Sequence, residues 1–280
     1  MDRRSFLKKS TVTAAGLGVG LAGYAWQVEP FWLEYTFVDM PTENLPPALV
    51  GKKLMQISDI HVGNKFDYQF IIDSFVDAQR LQPDYVVYTG DYVSYEDEEQ
   101  LAQLTTVMKY AVTGKIGTWG ILGNHDYGKN WSQRDVADQI TDILERAGVR
   151  MLRNEQEQLD GLSIVGLDDY WGTNFDPEMV TATIDRTKAS VVLCHNPDVC
   201  DLDVWHGYSG WILAGHTHGG QCKPPFLPPP MLPVMNKEYT AGLVPLSGGR
   251  TLYINRALGH LLQVRFNVRP EITIFTLQSV

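Results

Sequence analysis

Residues 53–61 read KLMQISDIH, a short and mainly apolar run that ends abruptly in an aspartate and a histidine. Four later stretches repeat this pattern, each with polar residues directly after the apolar run. They are YVVYTGD at 85–91, TWGILGNHD at 118–126, VVLCH at 191–195 and WILAGHTH at 211–218. Apolar runs of this length that stop at polar residues are typical of buried β-strands. The sequence therefore predicts core strands whose ends carry polar side chains.

Amphipathic stretches lie between these runs. Residues 70–81 and 136–147 place apolar side chains at mostly helical spacing, and the second stretch ends at Gly148. Strands that alternate with helices predict an α/β protein. The tail over residues 243–277 predicts strand hairpins, with a turn at Gly248-Gly249.

Side chains that bind metal ions cluster at the predicted strand ends. They are Asp59, His61, Asp91, Asn124, His125, His195, His216 and His218. In open α/β sheets, ligands bind in the crevice beyond the carboxyl ends of the strands. Carboxylate, amide and imidazole groups favour divalent ions such as Mn, Zn or Fe. The sequence therefore predicts a metal site at one edge of the sheet.

The number and spacing of these ligands predict two ions. Asp59 and His61, like His216 and His218, are two residues apart, so an extended chain would present both side chains to one ion. One ion takes about four to six ligands, whereas two ions about 4 Å apart with a bridging carboxylate use the whole group. Asp91 is the natural bridge. Such a pair holds a hydroxide and clamps phosphoryl oxygens during in-line displacement.

The five motifs, in this order, resemble those of the calcineurin-like metallophosphoesterase family. The resemblance implies an α/β fold with two mixed β-sheets in a sandwich flanked by helices. It also implies a role for each motif residue, as follows. One metal ion is held by Asp59, His61, Asp91 and His218, the other by Asp91, Asn124, His195 and His216, while His125 faces the substrate and Asp126 orients His125.

Departures from the family pattern indicate which members of the family this chain resembles. Ser94, three residues after Asp91, stands where purple acid phosphatases carry a tyrosine, which argues against a tyrosinate-bound ferric site. The chain most resembles exported bacterial phosphodiesterases, so we expect hydrolysis of phosphate esters, with diesters favoured. A lipid-linked pyrophosphatase of the cell envelope, of the UDP-2,3-diacylglucosamine type, is one alternative. A non-catalytic metal-binding scaffold is another.

The N-terminus predicts an export signal. Residues 1–26 combine a basic head, with Arg3-Arg4 resembling the twin-arginine motif, and an uncharged, mildly apolar stretch from residue 10. We expect the twin-arginine export machinery as a partner and a location in the periplasm or cell envelope, where an uncleaved N-terminus could anchor the chain to a membrane. A linker and edge strand over 27–50 and one metallophosphoesterase domain over 51–280 would follow.

Composition excludes several classes of protein. Of the 280 residues, 44% are hydrophobic and 20% charged, as in a globular protein with a core. The net charge of −10 disfavours binding to nucleic acid. Residues 223–233, the proline-rich loop, form either a rigid loop or an apolar lip that meets lipid. The candidates for the substrate rim are Tyr92, Tyr95 and Trp171.

Overall fold

Two six-stranded mixed sheets form the body of the protein. The computed structural model describes residues 3–63 and 66–280; the side chains at 3, 5–9 and 14 lie outside that description. The first sheet has the order β1-β12-β2-β3-β4-β5 and the second β10-β11-β9-β8-β7-β6. Residues 1–2 and the side chain of Arg3, on which the export prediction partly rests, are outside the described residues.

The strands of the two sheets alternate in blocks along the chain. Those of the first sheet are β1 (Glu34–Thr42), β2 (Lys53–Ile57), β3 (Tyr85–Thr89), β4 (Gly117–Ile121), β5 (Arg150–Met151) and β12 (Glu271–Ser279). Those of the second are β6 (Glu155–Leu159), β7 (Leu162–Gly166), β8 (Ala189–Leu193), β9 (Trp211–Ala214), β10 (Gly242–Pro245) and β11 (Thr251–Ile254). Strands β2 to β5 are parallel, as are β7, β8, β9 and β11.

Helices cover the outer faces of the sandwich: α2 (Gln69–Gln79), α3 (Glu98–Val107), α4 (Arg134–Arg146) and α5 (Glu178–Thr181). A further helix, α1 (Arg3–Gln27), precedes the sandwich. No helix among the described residues has both the length and the hydropathy needed to cross a membrane. The apolar residues form three clusters, one between the sheets and one on each outer face. The predicted sandwich of two mixed sheets flanked by helices is confirmed.

Local sequence explains helices α4 and α3. In α4, Val136, Ile140 and Leu144 are buried at a spacing of four residues, so they form one apolar stripe against the first sheet. Asp97 caps the start of α3 by accepting the backbone N–H of Glu99 at 2.9 Å. Gln100 completes this capping box by accepting the N–H of Asp97 at 2.7 Å.

The C-terminal tail differs from the predicted series of hairpins. Strands β10 and β11 do form a hairpin, with Gly248 and Gly249 at φ +71° and +76° in the turn. Strand β12 instead crosses to the first sheet, where it pairs antiparallel with β2 and parallel with β1. Its alternating residues fill two cores at once: Ile272 and Ile274 face α2 to α4, whereas Phe275 and Leu277 pack between the sheets. This alternation identifies a strand but not its partner.

The edge of the first sheet is formed by β1. This strand begins at Glu34, inside the segment 27–50 for which a linker and an edge strand were predicted. Phe31 lies before the strand and packs in an aromatic cluster, with its ring 5.6 Å from those of both Phe66 and Phe70. Packing of that side chain therefore sets where the strand can begin.

Candidate metal centre

The carboxyl ends of strands from both sheets meet at one site. From the first sheet, β2 is followed by Asp59 and His61, β3 by Asp91, and β4 by Asn124, His125 and Asp126. From the second, β8 is followed by His195, and β9 by His216 and His218. All of these side chains are buried except that of His125, which is partly exposed. The sandwich thus brings together nine predicted site residues from five strand ends.

One group of potential ligands consists of Asp59, His61 and His218. Their ligand atoms lie within 4.8 Å of one another. The Nε2 atoms of His61 and His218 are 2.9 Å apart, and Oδ1 of Asp59 lies 3.3 Å from Nε2 of His218. Burial lowers the pKa of His61 well below its usual value, which leaves a neutral imidazole able to donate a lone pair. This group can hold one divalent ion.

The second group consists of Asp91, His195 and His216, again with ligand atoms within 4.8 Å of one another. Nδ1 of His195 lies 2.7 Å from the carbonyl oxygen of Thr89, and Nε2 of His216 lies 2.9 Å from that of Pro233. A carbonyl only accepts hydrogen bonds, so these two nitrogens carry the protons. The remaining nitrogens, Nε2 of His195 and Nδ1 of His216, face each other at 3.2 Å.

Two lone pairs that face each other this closely need a cation between them. Burial by itself would lower the pKa of His195, but the carboxylates of Asp91 and Asp59 raise it well above its usual value. Burial and the nearby His195 lower the pKa of His216 to about 3, so its ring is neutral. In the metal-free chain a proton on His195 fills the position that a divalent ion fits. The donor atoms therefore suit a metal ion.

Asp91, a member of the second group, also lies close to the first. Its Oδ2 is 3.5 Å from Nε2 of His61 and 3.1 Å from Nε2 of His195. Asn124 is a further potential metal ligand, because its buried Oδ1 has no hydrogen-bond partner within the described part of the chain. A buried amide oxygen without a partner is costly, and a metal ion would satisfy it. The geometry accommodates two ions with Asp91 between them.

The backbone brings these side chains together in a way that the extended-chain reasoning did not foresee. Five ligand residues adopt left-handed backbone conformations rather than extended ones. They are Asp59 (φ +52°), His61 (+47°), Asp91 (+56°), His216 (+70°) and His218 (+52°). For non-glycine residues this region costs about 1–2 kcal/mol each, and such strain collects at functional sites. The argument from i, i+2 spacing is right for Asp59 and His61, which share one group, although their backbones are not extended. It is wrong for His216 and His218, which belong to different groups.

The ligand carboxylates also hold neighbouring loops in place. Both oxygens of Asp59 accept the backbone N–H of His216, at 3.0 and 3.2 Å, and Oδ1 of Asp91 accepts that of His125 at 2.9 Å. Ser58 donates its hydroxyl to Asp59 and in turn accepts from the Thr89 hydroxyl. Such partners orient ligands and tune their basicity.

His125 and Asp126 do different things. The ring of His125 stands 5.2 Å from that of His61 and remains partly exposed, so it can meet a bound substrate. The carboxylate of Asp126 accepts the backbone N–H groups of Asp91, Tyr92 and Val93, as well as that of Gly123. No described hydrogen bond connects Asp126 to the His125 ring, so its visible role is to shape the loop that carries Asp91.

Of the predicted rim residues, Trp171 packs against a metal-ligand side chain. Its ring stands 4.6 Å from that of His216, whereas Tyr92 is buried in the core beside α2 to α4. Tyr95 packs as a partly buried residue against the same core. The proline-rich loop reaches the site through the carbonyl oxygen of Pro233.

Sequence reasoning missed Asp169 and Trp131. Asp169 follows β7 closely, so the rule applied to the other strand ends would have found it. Burial raises the pKa of Asp169 to about 7, with His195 partly offsetting the effect. Its Oδ1 is buried without a partner among residues 3–63 and 66–280. Trp131 lies in a loop whose sequence carries no comparable signal.

Comparison with known proteins agrees with this geometry. Residues 52–220 match the calcineurin-like phosphoesterase family. The chain is 32% identical to the uncharacterized metallophosphoesterase YkuE of Bacillus subtilis, over 100% of this chain and 98% of that protein. It is 28% identical to the phosphodiesterase YaeI of Escherichia coli, over 99% of each. It is 26% identical to the UDP-2,3-diacylglucosamine pyrophosphatase LpxG of Chlamydia muridarum, over 90% of this chain and 91% of that protein. The chain therefore belongs to the calcineurin-like phosphoesterases and is a metallophosphoesterase, a hydrolase of phosphoester bonds.

Proposed function

We propose that this metallophosphoesterase cleaves phosphate diesters at a centre of two divalent ions, drawn from Mn, Zn and Fe. The observation that carries the proposal is the position of Asp91. One carboxylate oxygen lies 3.5 Å from a histidine nitrogen of the first group and 3.1 Å from one of the second. A single bridging carboxylate of this kind is what a two-ion centre requires.

The chain's own residues would divide the work as follows. Asp59, His61 and His218 would hold one ion, and His195 and His216 the other, with Asn124 added and Asp91 shared. Bound ions would supply an activated water and neutralise charge on the phosphoryl oxygens. His125, whose backbone is tied to Asp91 and whose ring is partly exposed, would protonate the leaving oxygen or stabilise its charge. The ligands are buried, which would keep bulk water from competing for the ions.

The preference for diesters rests on the Escherichia coli relative, which is named a phosphodiesterase. The test is hydrolysis of bis-p-nitrophenyl phosphate and of p-nitrophenyl phosphate by chain stripped of metal and reloaded with Mn, Zn or Fe. Asp91→Ala should lose both turnover and the second ion. His206→Asn is the matched control, because His206 is exposed and outside the site. Two bound ions without turnover of either ester would contradict the proposal and favour a scaffold.

A second candidate is hydrolysis of a lipid-linked pyrophosphate. The chlamydial relative is named for a UDP-2,3-diacylglucosamine substrate. The proline-rich loop also exposes large apolar side chains, with Phe226 fully exposed, Leu227 59% exposed and Met231 80% exposed. This apolar loop ends at Pro233, whose carbonyl oxygen accepts a hydrogen bond from the metal ligand His216. Lipid tails bound to the loop would therefore lie beside the ions, and a membrane surface would be a partner.

The loop can be tested without deleting it. Deletion would remove the Pro233 carbonyl that accepts from His216 and so disturb the metal centre. Serine at Phe226, Leu227 and Met231 instead changes only exposed side chains. If lipid tails bind there, the triple variant loses activity on detergent-dispersed lipid pyrophosphate while hydrolysis of bis-p-nitrophenyl phosphate is unchanged. Equal loss on both substrates would argue against the lipid-linked function.

We infer that the chain is exported by the twin-arginine pathway to the periplasm or cell envelope, where an uncleaved N-terminus anchors it. The support is the Arg3-Arg4 pair together with an uncharged stretch over residues 10–26, in which Val12 is 72% and Val19 is 75% exposed. A reporter fused after residue 27 should leave the cytoplasm only when the twin-arginine translocase is intact. Lysine at both arginines should block export, whereas glutamine at Lys8 should not.

A further inference from the structure

Two tryptophans form a wall from the metal ligands to the partly exposed histidine. The ring of Trp171 lies edge-on to that of His216 at 4.6 Å and 80°. Trp131 stacks on Trp171, with 4.8 Å between ring centroids and 17° between planes. The ring of Trp131 in turn lies 6.5 Å from that of His125. We call this pair the tryptophan wall.

The backbone that presents Trp131 is sterically unfavourable. Asn130 and Trp131 both adopt left-handed conformations, at φ +54° and +55°. Asparagine tolerates this region, but a bulky aromatic residue rarely adopts it. Strain of this kind persists where the surrounding structure over-determines it, and it concentrates at ligand-binding sites.

The surroundings do hold the two loops of the wall together. Arg134, just after Trp131, donates to the hydroxyl of Thr173 at 3.2 Å and to the side-chain oxygen of Asn174 at 3.1 Å. Oδ2 of Asp169 accepts the backbone N–H of Trp171 at 2.8 Å. The wall is therefore a fixed surface rather than two independent loop side chains.

Packing of the metal ligand does not account for the whole wall. Trp171 is the member of the wall that packs against the ring of His216, whereas Trp131 extends the surface toward His125 and keeps 37% of its area exposed. An exposed, rigid indole beside a phosphoester site offers a face for stacking. Flat rings gain about 1–3 kcal/mol from such stacking, which corresponds to roughly 5- to 150-fold in affinity.

We propose that the tryptophan wall binds a flat ring in the group esterified to the phosphate, so that the site selects aryl or nucleoside phosphoesters over alkyl ones. The proposal rests on the proposed phosphoester site. It concerns specificity, since the ions and His125 would act on the phosphate whatever group is attached.

The test measures binding to metal-loaded full-length chain by calorimetry, so it does not depend on turnover. Phenylphosphonate and methylphosphonate, which cannot be hydrolysed as esters, differ only in the ring. We expect phenylphosphonate to bind at least about tenfold more tightly. The phosphonate analogues of adenosine 5′-monophosphate and ribose 5-phosphate, in which a methylene group replaces the ester oxygen, form a second pair, which separates a preference for nucleobases from a preference for any ring.

Variants at Trp131 decide the outcome. Trp131→Ala should bring the ratio of the two phosphonate affinities close to one, whereas Trp131→Phe, which keeps a ring, should preserve most of it. Trp32→Ala is the matched control, because Trp32 is also exposed, at 52%, but stacks under Arg269. Equal binding of both phosphonates by the unchanged chain, or an affinity ratio that survives Trp131→Ala, overturns the proposed role of the tryptophan wall and leaves the phosphoester site standing. Failure of both phosphonates to bind overturns the phosphoester site and the wall with it.

Discussion

Gly215 separates β9 from His216, and a methyl group at this position would overlap the carboxylate of Asp59. A Cβ built on Gly215 would lie 2.2 Å from Oδ2 of Asp59 and 2.0 Å from the hydroxyl oxygen of Ser58. Asp59 is 0% and Ser58 1% exposed, so neither can swing into solvent. Gly215→Ala must therefore push Asp59 by about 1 Å to restore an ordinary contact distance. Backbone strain would not contribute to this effect, since Gly215 does not have a positive φ.

The size of that shift predicts the loss. Metal–ligand distances tolerate about 0.2 Å, so a displacement of 1 Å takes Asp59 out of reach of an ion shared with His61 and His218. A misplacement of about 1 Å in a catalytic site can cost roughly 100-fold in rate, equivalent to about 2.7 kcal/mol. Overpacking of the core should also lower the free energy of unfolding by about 1–3 kcal/mol.

The assay combines metal content per chain after loading with Mn, kcat/KM on bis-p-nitrophenyl phosphate, and thermal unfolding. Gly63→Ala is the matched control: it lies two residues after His61, and its Cβ would meet nothing closer than 3.4 Å. We expect Gly63→Ala to keep both ions and its activity. Two bound ions and unchanged kcat/KM in Gly215→Ala would refute the argument from steric contact.

Three further predictions concern the same chain. His125→Asn should keep both ions but lower kcat about 10²- to 10³-fold, because it removes a proton donor without removing a ligand; lost ions would show that it is a ligand after all. In metal-free chain, His218→Gly should be about 1 kcal/mol more stable than His218→Ala, or roughly 2 °C higher in Tm. The reason is that alanine retains the backbone strain at φ +52°, whereas glycine does not. Equal melting temperatures of the two variants would exclude that strain. Glu271→Gln should lower the free energy of unfolding at pH 7 by about 2–3 kcal/mol, because it breaks the buried pair of Glu271 with Arg256 at 2.9 Å. Burial alone would raise the pKa of Glu271, but Arg256 lowers it. The stabilisation by the Glu271–Arg256 pair is therefore present above the unfolded pKa of Glu271 and is lost as the pH falls through the folded pKa. A difference in stability between wild type and the Gln variant that stays constant down to pH 3 would contradict the pairing.

The sequence by itself determined features that depend on neighbouring residues. The apolar stripe Val136, Ile140 and Leu144 lies on one face of a helix because its spacing matches the helical repeat. The polar residues at strand ends, such as Asp91 after β3, meet because parallel strands end at the same edge. Residue type and spacing therefore sufficed to predict an α/β protein and the chemistry of the site, whereas the two-sheet sandwich was predicted from the family resemblance.

Tertiary structure alone decided how that chemistry is arranged. The proton positions on His195 and His216 depend on carbonyl oxygens of Thr89 and Pro233, and backbone atoms carry no residue-type signal. The left-handed backbones of the ligands also escape spacing rules, because neighbouring loops impose them. Trp131 reaches the site by stacking on Trp171, forty residues away along the chain. Contacts between residues so far apart form only once both sheets have packed, so no local pattern records them.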